Sequence, residues 1–300
     1  MLSNTFRARL ALHIARATIP GAVVATFFFV NACSDQNRSV ARTTGPEAAS
    51  LVANSQDDGT YFGDVVPLGP GNARTYVTIQ NGAPVEIGVE MSEGAIRGLP
   101  TEGGHDGHNN MHHKMENAWD LPLPAQAGAT AYKSVYMGWM PTGHGAPYNR
   151  PHFDFHFYVV PTSERLAIDP SDPQWTEKSS NLPSQEYWPQ RYFPLNLLIP
   201  VTADAATVPQ MGLHWLDIGA PELNGGEFRY TLYYGSWNGR IIFDEPMITK
   251  AVLESRETVD VTLPPAARYA SEGFRAGGYR VYYNEATDRH RVALTQLAER

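Results

Sequence analysis

Apolar and polar residues alternate with a period of two over most of the chain beyond residue 60, which is typical of half-buried β-strands. Asn-Gly pairs at 81–82 and 238–239 predict two-residue hairpin turns, and helical periodicity is weak, with one short helix predicted near Ser184–Trp188. The pattern predicts a mainly β fold, a single sandwich-like or barrel-like antiparallel domain with long loops over residues 60–300. The predicted strands are Thr75–Gln80, Val85–Met91, Ala131–Met140, Pro151–Val160, Gln210–Asp217, Glu227–Trp237, Arg240–Lys250, Thr258–Leu263, Tyr279–Tyr283 and Arg291–Gln296.

The first 32 residues differ from the rest of the chain. Three arginines, at positions 7, 9 and 16, precede an apolar run at 21–30, and the first acidic residue is Asp35. A basic region, a short apolar region and small residues before a cleavage point are typical of a signal peptide. The apolar run is about half the ~20 residues that a membrane-spanning helix needs. We therefore predict export, with residues 1–32 as a signal peptide.

Cys33 is the only cysteine and directly follows Ala32, an arrangement similar to the lipobox of bacterial lipoproteins. The alternative is ordinary signal cleavage with Cys33 incidental. Residues 33–59 are polar and rich in small side chains, which predicts a flexible tether. The sequence thus predicts a lipid anchor at Cys33 that holds the domain to the cell envelope, in the periplasm or outside the cell.

The net negative charge of the chain argues against nucleic acid as a partner. Removing residues 1–32, with three arginines and no acidic residue, changes the net charge from −8 to −11. An acidic protein is a poor partner for nucleic acid. The sequence predicts the membrane, through the lipid anchor, as a partner and no binding of nucleic acid.

The segment PHFDFHFY, residues 151–158, carries the strongest chemical signal. On a strand, successive side chains point to opposite faces, so three phenylalanines share one face and His152, Asp154 and His156 share the other. Side chains two residues apart lie ~7 Å from each other, whereas His152 and His156 lie ~13 Å apart. One ion would therefore use Asp154 with either His152 or His156, plus a ligand from another strand.

Three residues elsewhere in the chain could complete such a site. His214 is the best candidate, because Met211, Leu213 and Trp215 are expected on the other face of its strand. His144 lies in a turn-rich link that leads back to His152. Pairing outward from Asn238-Gly239 places Glu245 on an apolar face, beside Leu232, Tyr234 and Ser236, where an unpaired carboxylate would be costly.

Each candidate also has a simpler interpretation. A buried cluster of histidines and a carboxylate is often a satisfied polar network without a metal, and this remains open for His152, Asp154, His156 and His214. For His144 a solvated loop position is favoured. For Glu245 a salt bridge to Arg240 or Arg150 is favoured.

The stretch 102–116 is polar and rich in glycine and histidine. Its His105, His108, His112 and His113 could capture zinc, copper or nickel, although a solvated loop is the favoured interpretation. The common catalytic and nucleotide-binding motifs are missing from the sequence.

The segments Gly143-His144, PHFDFHFY, MGLHW (211–215), YGSWNGR (234–240) and FDEPM (243–247) together resemble an uncharacterised family of bacterial extracytoplasmic proteins. That family is typified by a sigma-E-regulated hypothetical protein of a thermophile. The resemblance extends over about residues 75–297 and implies export, a compact β-rich domain and self-association. It implies no reaction. The motif residues that carry over are His144, His152, Asp154, His156, His214 and Glu245.

Three hypotheses follow for the function. The first is binding of a divalent transition metal, with zinc as the leading ion, through the strand-borne histidine and aspartate cluster. The second is a metal-dependent hydrolase or lyase, in which an open coordination position would activate water, with Glu245 or Asp154 as general base. The third is a non-enzymatic oligomeric structural or interaction module. The sequence leaves open whether the domain is an enzyme.

Overall fold

The computed structural model describes residues 57–101 and 117–300. The predicted signal peptide, Cys33, most of the predicted tether and His105–His113 lie outside these residues. Seventeen strands are present in the described part of the chain. They are β1 Gly59–Phe62, β2 Val66–Leu68, β3 Gly71–Gln80, β4 Ala83–Ser92, β5 Ala118–Leu121, β6 Ser134–Met140, β7 His152–Tyr158, β8 Tyr192–Pro194, β9 Thr207–Val208, β10 Gly212–Asp217, β11 Tyr230–Trp237, β12 Arg240–Thr249, β13 Val259–Thr262, β14 Phe274–Arg275, β15 Gly278–Asn284, β16 Arg289–Thr295 and β17 Ala298–Glu299.

Short helices connect the strands. The α-helices are α1 Glu93–Arg97, α2 Thr162–Leu166, α3 Trp175–Ser180, α4 Leu195–Leu198, α5 Ala203–Ala206 and α6 Lys250–Ser255. Three 3₁₀ turns cover Ala125–Ala129, Gln185–Tyr187 and Pro221–Asn224. None of the helices in residues 57–101 and 117–300 has the length and apolar character needed to cross a membrane.

The strands form two open antiparallel sheets, which confirms the predicted mainly β, sandwich-like fold. The first sheet has the order β1-β3-β4-β16-β15-β13, with β2 beside β3, and the second has the order β5-β6-β7-β12-β11-β10-β8, with β9 beside β10. Strands β14 and β17 pair separately. The main core contains side chains from both sheets, including Val77, Ile87, Phe155 and Trp215.

Both predicted hairpins are confirmed. Asn81 and Gly82 join β3 to β4, and Asn238 and Gly239 join β11 to β12, with all four residues at positive φ. This backbone shape matches the twist of the flanking strands and suits asparagine and glycine. The second hairpin matters for the site, because it fixes how β11 lies beside β12.

The second sheet is buried on both faces near its centre. Phe153, Phe155 and Phe157 of β7 lie in the core shared with the first sheet, as predicted. The opposite face is covered by two smaller apolar clusters, one containing Tyr158 and Phe243 and the other Tyr148, Phe228 and Tyr233. The alternate residues of β7, which are polar, are therefore buried as well.

Candidate metal centre

The six residues singled out from the sequence lie in two groups on the outer face of the second sheet. His144, His152 and Asp154 form the first triad, and His156, His214 and Glu245 form the second triad. Within each triad, one potential ligand atom from each residue lies within 4.8 Å of the others. The expectation of a single ion shared along β7 is thus replaced by two triads, one at each end of its polar face.

The first triad is built around the Asp154 carboxylate. Its Oδ2 lies 3.0 Å from His144 Nε2, and its Oδ1 lies 3.1 Å from His152 Nε2. His144 comes from the loop between β6 and β7, whose backbone turns back at Tyr148 through a hydrogen bond from the His144 amide to the Tyr148 carbonyl. The rings of His144 and His152 lie 4.9 Å apart, so the predicted approach of the two histidines is found.

The second triad is built around the Glu245 carboxylate. Its Oε1 lies 3.3 Å from His156 Nε2, and its Oε2 lies 3.6 Å from His214 Nε2. Strands β7 and β12 pair in the register that sets Met247 against Asp154, which places Glu245 opposite His156. His214 lies on β10, which is separated from β12 by β11, and it pairs with Gly235 of β11. Its side chain reaches Glu245 across β11.

The surroundings predicted for Glu245 are wrong in two respects. A β-bulge between Gly235 and Ser236 shifts the ladder, so that Glu245 faces Tyr233 rather than Leu232. The favoured salt bridge is also wrong, because Arg240 pairs with Glu164 and Arg150 pairs with Glu227. The bulge adds one residue to β12, which a register counted from the turn cannot anticipate.

His144 and His214 also depart from their expected surroundings. His144 lies on a loop and is exposed, as expected, but its ring also contacts the buried carboxylate of Asp154. Met211 was expected beside Leu213 and Trp215; it instead precedes β10 and packs with Tyr158 in a separate cluster. The cause is positive φ at Gln210 and Gly212, which breaks the alternation just before the strand.

Backbone carbonyls fix the orientation of the two β7 histidines. Nδ1 of His152 lies 2.6 Å from the Arg150 carbonyl, and Nδ1 of His156 lies 3.3 Å from the Tyr136 carbonyl. A carbonyl oxygen only accepts, so each Nδ1 carries the proton and donates it. Burial lowers the pKa of His156, so its neutral ring presents a lone pair at Nε2, which is the usual arrangement of a metal-bound histidine.

In both triads a histidine Nε2 faces a carboxylate oxygen. Nε2 of His152 and Oδ1 of Asp154 are both buried and lie 3.1 Å apart, but they form no hydrogen bond. Nε2 of His156 is also buried without a hydrogen bond, 3.3 Å from Oε1 of Glu245. A nitrogen and an oxygen of this kind at such distances need a proton or a metal ion between them. Buried polar atoms without a partner are rare in native proteins and require an explanation of this kind.

The electrostatics favour neutral histidines in the second triad. Burial lowers the pKa of His156 to about 3 and that of His214 to about 4. Burial, reinforced by the charge of Asp154, raises the pKa of Glu245 well above its usual value. A proton is thus held poorly by the histidines and more readily by Glu245, while the histidine lone pairs stay available at neutral pH.

Asp154 behaves in the opposite way. Burial favours its neutral form, but the charges of His152 and His144 and the hydrogen bond between His144 and Asp154 outweigh that effect and lower the pKa of Asp154. The first triad thus keeps an ionised carboxylate. Its charge also acts on His156, His214 and Glu245.

Each triad has one histidine that solvent can reach. The side chains of His144 and His214 are 28% and 14% exposed, whereas those of the other four residues are 3% exposed or less. Aromatic rings wall the remaining sides, with Phe228 beside His152 and Phe243 between His156 and His214. An ion would enter past the exposed histidine of each triad.

Residues 80–139 match the family model described as TTHB210-like, hypothetical protein TTHB210. The description states no activity. The matched segment runs from the end of β3 to β6 and ends before all six site residues, so the family match supports an uncharacterised family and carries no information on the triads. Neither the curated proteins nor the solved structures give a match to this chain.

Gly235 makes room for the Phe243 ring, and this gives a testable prediction. A Cβ at position 235 would lie 2.0 Å from Phe243 Cε1, so Gly235→Ala should push the ring towards His156 and His214. We expect a loss of about 1–3 kcal/mol in unfolding free energy, as for other overpacked sites, and weaker zinc binding at the second triad alone. Thermal unfolding and zinc titration measure the two effects.

The matched control for Gly235→Ala is Gly128→Ala, because a Cβ at Gly128 meets nothing within 4 Å. We expect Gly128→Ala to leave both stability and zinc affinity near their wild-type values. Equal effects of the two substitutions would show that the packing of Phe243 does not matter to the triad.

Proposed function

We propose that this protein binds divalent transition metal ions, one at each triad. The proposal rests above all on the unpartnered nitrogen atoms: buried Nε2 atoms of His152 and His156 lie 3.1 and 3.3 Å from carboxylate oxygens without a hydrogen bond. A metal ion between them would satisfy each atom. Two imidazoles and one carboxylate are also a donor set that zinc uses at sites with an open coordination position.

Zinc is the leading ion for chemical reasons. The triads offer nitrogen and carboxylate oxygen as ligand atoms. Imidazole suits zinc, copper, iron and nickel, whereas calcium and magnesium prefer oxygen ligands throughout. The role would be metal handling or a structural ion.

The competing interpretation is a pair of protonated hydrogen-bonded networks. The first sheet contains an example, where buried His290 makes a 2.8 Å hydrogen bond to Glu93. That pair has one histidine, and Arg97 and Arg256 also contact Glu93, so the carboxylate charge is already neutralised. His290 is therefore a matched control for the triad histidines.

Calorimetric titration of zinc into the chelator-treated full chain tests the proposal. The wild type and His290→Ala should each bind two equivalents, and His156→Ala/His214→Ala should bind one. The proposal fails if the wild type binds zinc no better than a variant in which His144, His152, His156 and His214 are all replaced by alanine.

We also propose that the protein is exported and lipid-anchored at Cys33. Support comes from the basic and apolar segments before Ala32-Cys33 and the polar stretch that follows. Lipid labelling in a bacterial host tests this proposal: Cys33→Ser should abolish incorporation of labelled fatty acid. Unlabelled wild-type protein would instead indicate ordinary cleavage or retention.

A further inference from the structure

The two triads are neighbours on one strand. Asp154 and His156 are consecutive residues on the same face of β7, ~7 Å apart, and they belong to different triads. The second carboxylate, Glu245, sits on the adjacent strand, two residues from Met247, the partner of Asp154. Ions in the two triads would therefore lie at neighbouring positions on one face of the sheet, on the order of 7 Å apart.

Asp154 links the two groups. Its two oxygens contact His144 and His152 of the first triad. Its charge also acts on all three residues of the second triad, and the charge of His144 acts on His214. The six residues thus form one electrostatic unit.

The charges of a fully loaded site do not balance. Two divalent ions bring four positive charges, and the neutral histidines add none. Asp154 and Glu245 supply two negative charges, which leaves two positive charges in a largely buried site. Uncompensated buried charge is costly, and each ion has only three protein ligands, fewer than the four of a closed zinc site.

We infer that the two triads form one binuclear centre that binds a small oxyanion between its two ions. The inference rests on the proposed metal binding. An anion of the phosphate or carbonate type would supply the missing negative charge and one ligand to each ion. It would reach the centre from the side of His144 and His214, where the site meets solvent.

Copper titration followed by electron paramagnetic resonance tests whether the ions are close. The full chain loaded with two Cu²⁺ ions should show a spin-coupled spectrum with a half-field transition. The one-triad variants His144→Ala/His152→Ala and His156→Ala/His214→Ala should each bind one Cu²⁺ and show an isolated-ion spectrum. Two bound ions without spin coupling would overturn the binuclear centre while leaving the metal binding intact.

Titration with inorganic phosphate tests whether the binuclear centre binds an oxyanion. The zinc-loaded wild type and His290→Ala should bind one phosphate per two zinc ions, and each one-triad variant should bind it at least tenfold more weakly. Phosphate binding of equal strength in the wild type and a one-triad variant, or no phosphate binding to the two-zinc protein, would overturn the inference. Failure to bind any metal would refute the proposed function itself.

Discussion

Removal of bound metal is expected to lower the melting temperature by roughly 10 °C or more. An ion present at about 1,000 times its dissociation constant stabilises the folded state by about 4 kcal/mol, and in a chain of this size each kcal/mol moves the melting temperature by about 2–4 °C. The physical reason is local, since chelation leaves buried nitrogen and oxygen atoms of both triads without a partner. Thermal unfolding with zinc and with excess chelator measures the difference.

His290→Ala serves as the control for this prediction. It removes a buried histidine paired with a carboxylate outside the centre, so it should lower stability by the same amount with and without zinc. The account would be contradicted if chelator and zinc left the wild-type melting temperature unchanged.

Glu245→Gln is expected to abolish zinc binding at the second triad and, at the same time, to stabilise the metal-free protein. The side chain keeps its size, but the buried carboxylate is replaced by a neutral amide. In the metal-free wild type, the buried Nε2 of His156 faces the Glu245 carboxylate without a hydrogen bond. Leaving a buried polar group unsatisfied costs about 1–3 kcal/mol. We therefore expect Glu245→Gln to raise the unfolding free energy by an amount of that order after chelation. Urea unfolding of the chelated proteins, together with zinc titration, measures both effects.

The gain in unfolding free energy of metal-free Glu245→Gln over the wild type should increase with pH. Folding raises the pKa of Glu245, so the folded wild type loses stability as pH rises above the carboxyl pKa of the unfolded chain. Glutamine does not ionise, so the variant does not lose stability in this way. The unfolding free energy of Glu245→Gln should therefore exceed that of the wild type by more at pH 8 than at pH 5. Glu254→Gln is the control, because the side chain of Glu254 is 53% exposed. A destabilised Glu245→Gln protein that still binds two zinc ions would contradict the account.

The sequence predicted the parts of this structure that depend on local pattern. The alternation of PHFDFHFY placed three phenylalanines in the core and the intervening polar residues on one opposite face, as found in β7. The two Asn-Gly hairpins were equally readable, because their backbone shape demands those residues. Helices of four to six residues were missed, since one turn or so shows no apolar period.

The arrangement of the site depended on long-range pairing that local pattern does not encode. The choice between one shared ion and two triads depends on β12 lying beside β7 and on the loop that returns His144 to Asp154. The bulge at Gly235 decided that Glu245 faces Tyr233. The six residue types were visible in the sequence, whereas their grouping was visible only once the strands were paired.

Metal content of the full chain, purified without a polyhistidine tag and measured by plasma mass spectrometry, tests the central claim most directly. A variant with His105, His108, His112 and His113 replaced by glutamine removes the histidine-rich stretch as a source of metal. This variant should still carry close to two equivalents of a transition metal, and adding His156→Ala/His214→Ala should leave one. If the variant with the intact triads carries no metal, even after incubation with zinc, copper or nickel, the two triads are hydrogen-bonded networks rather than a metal centre.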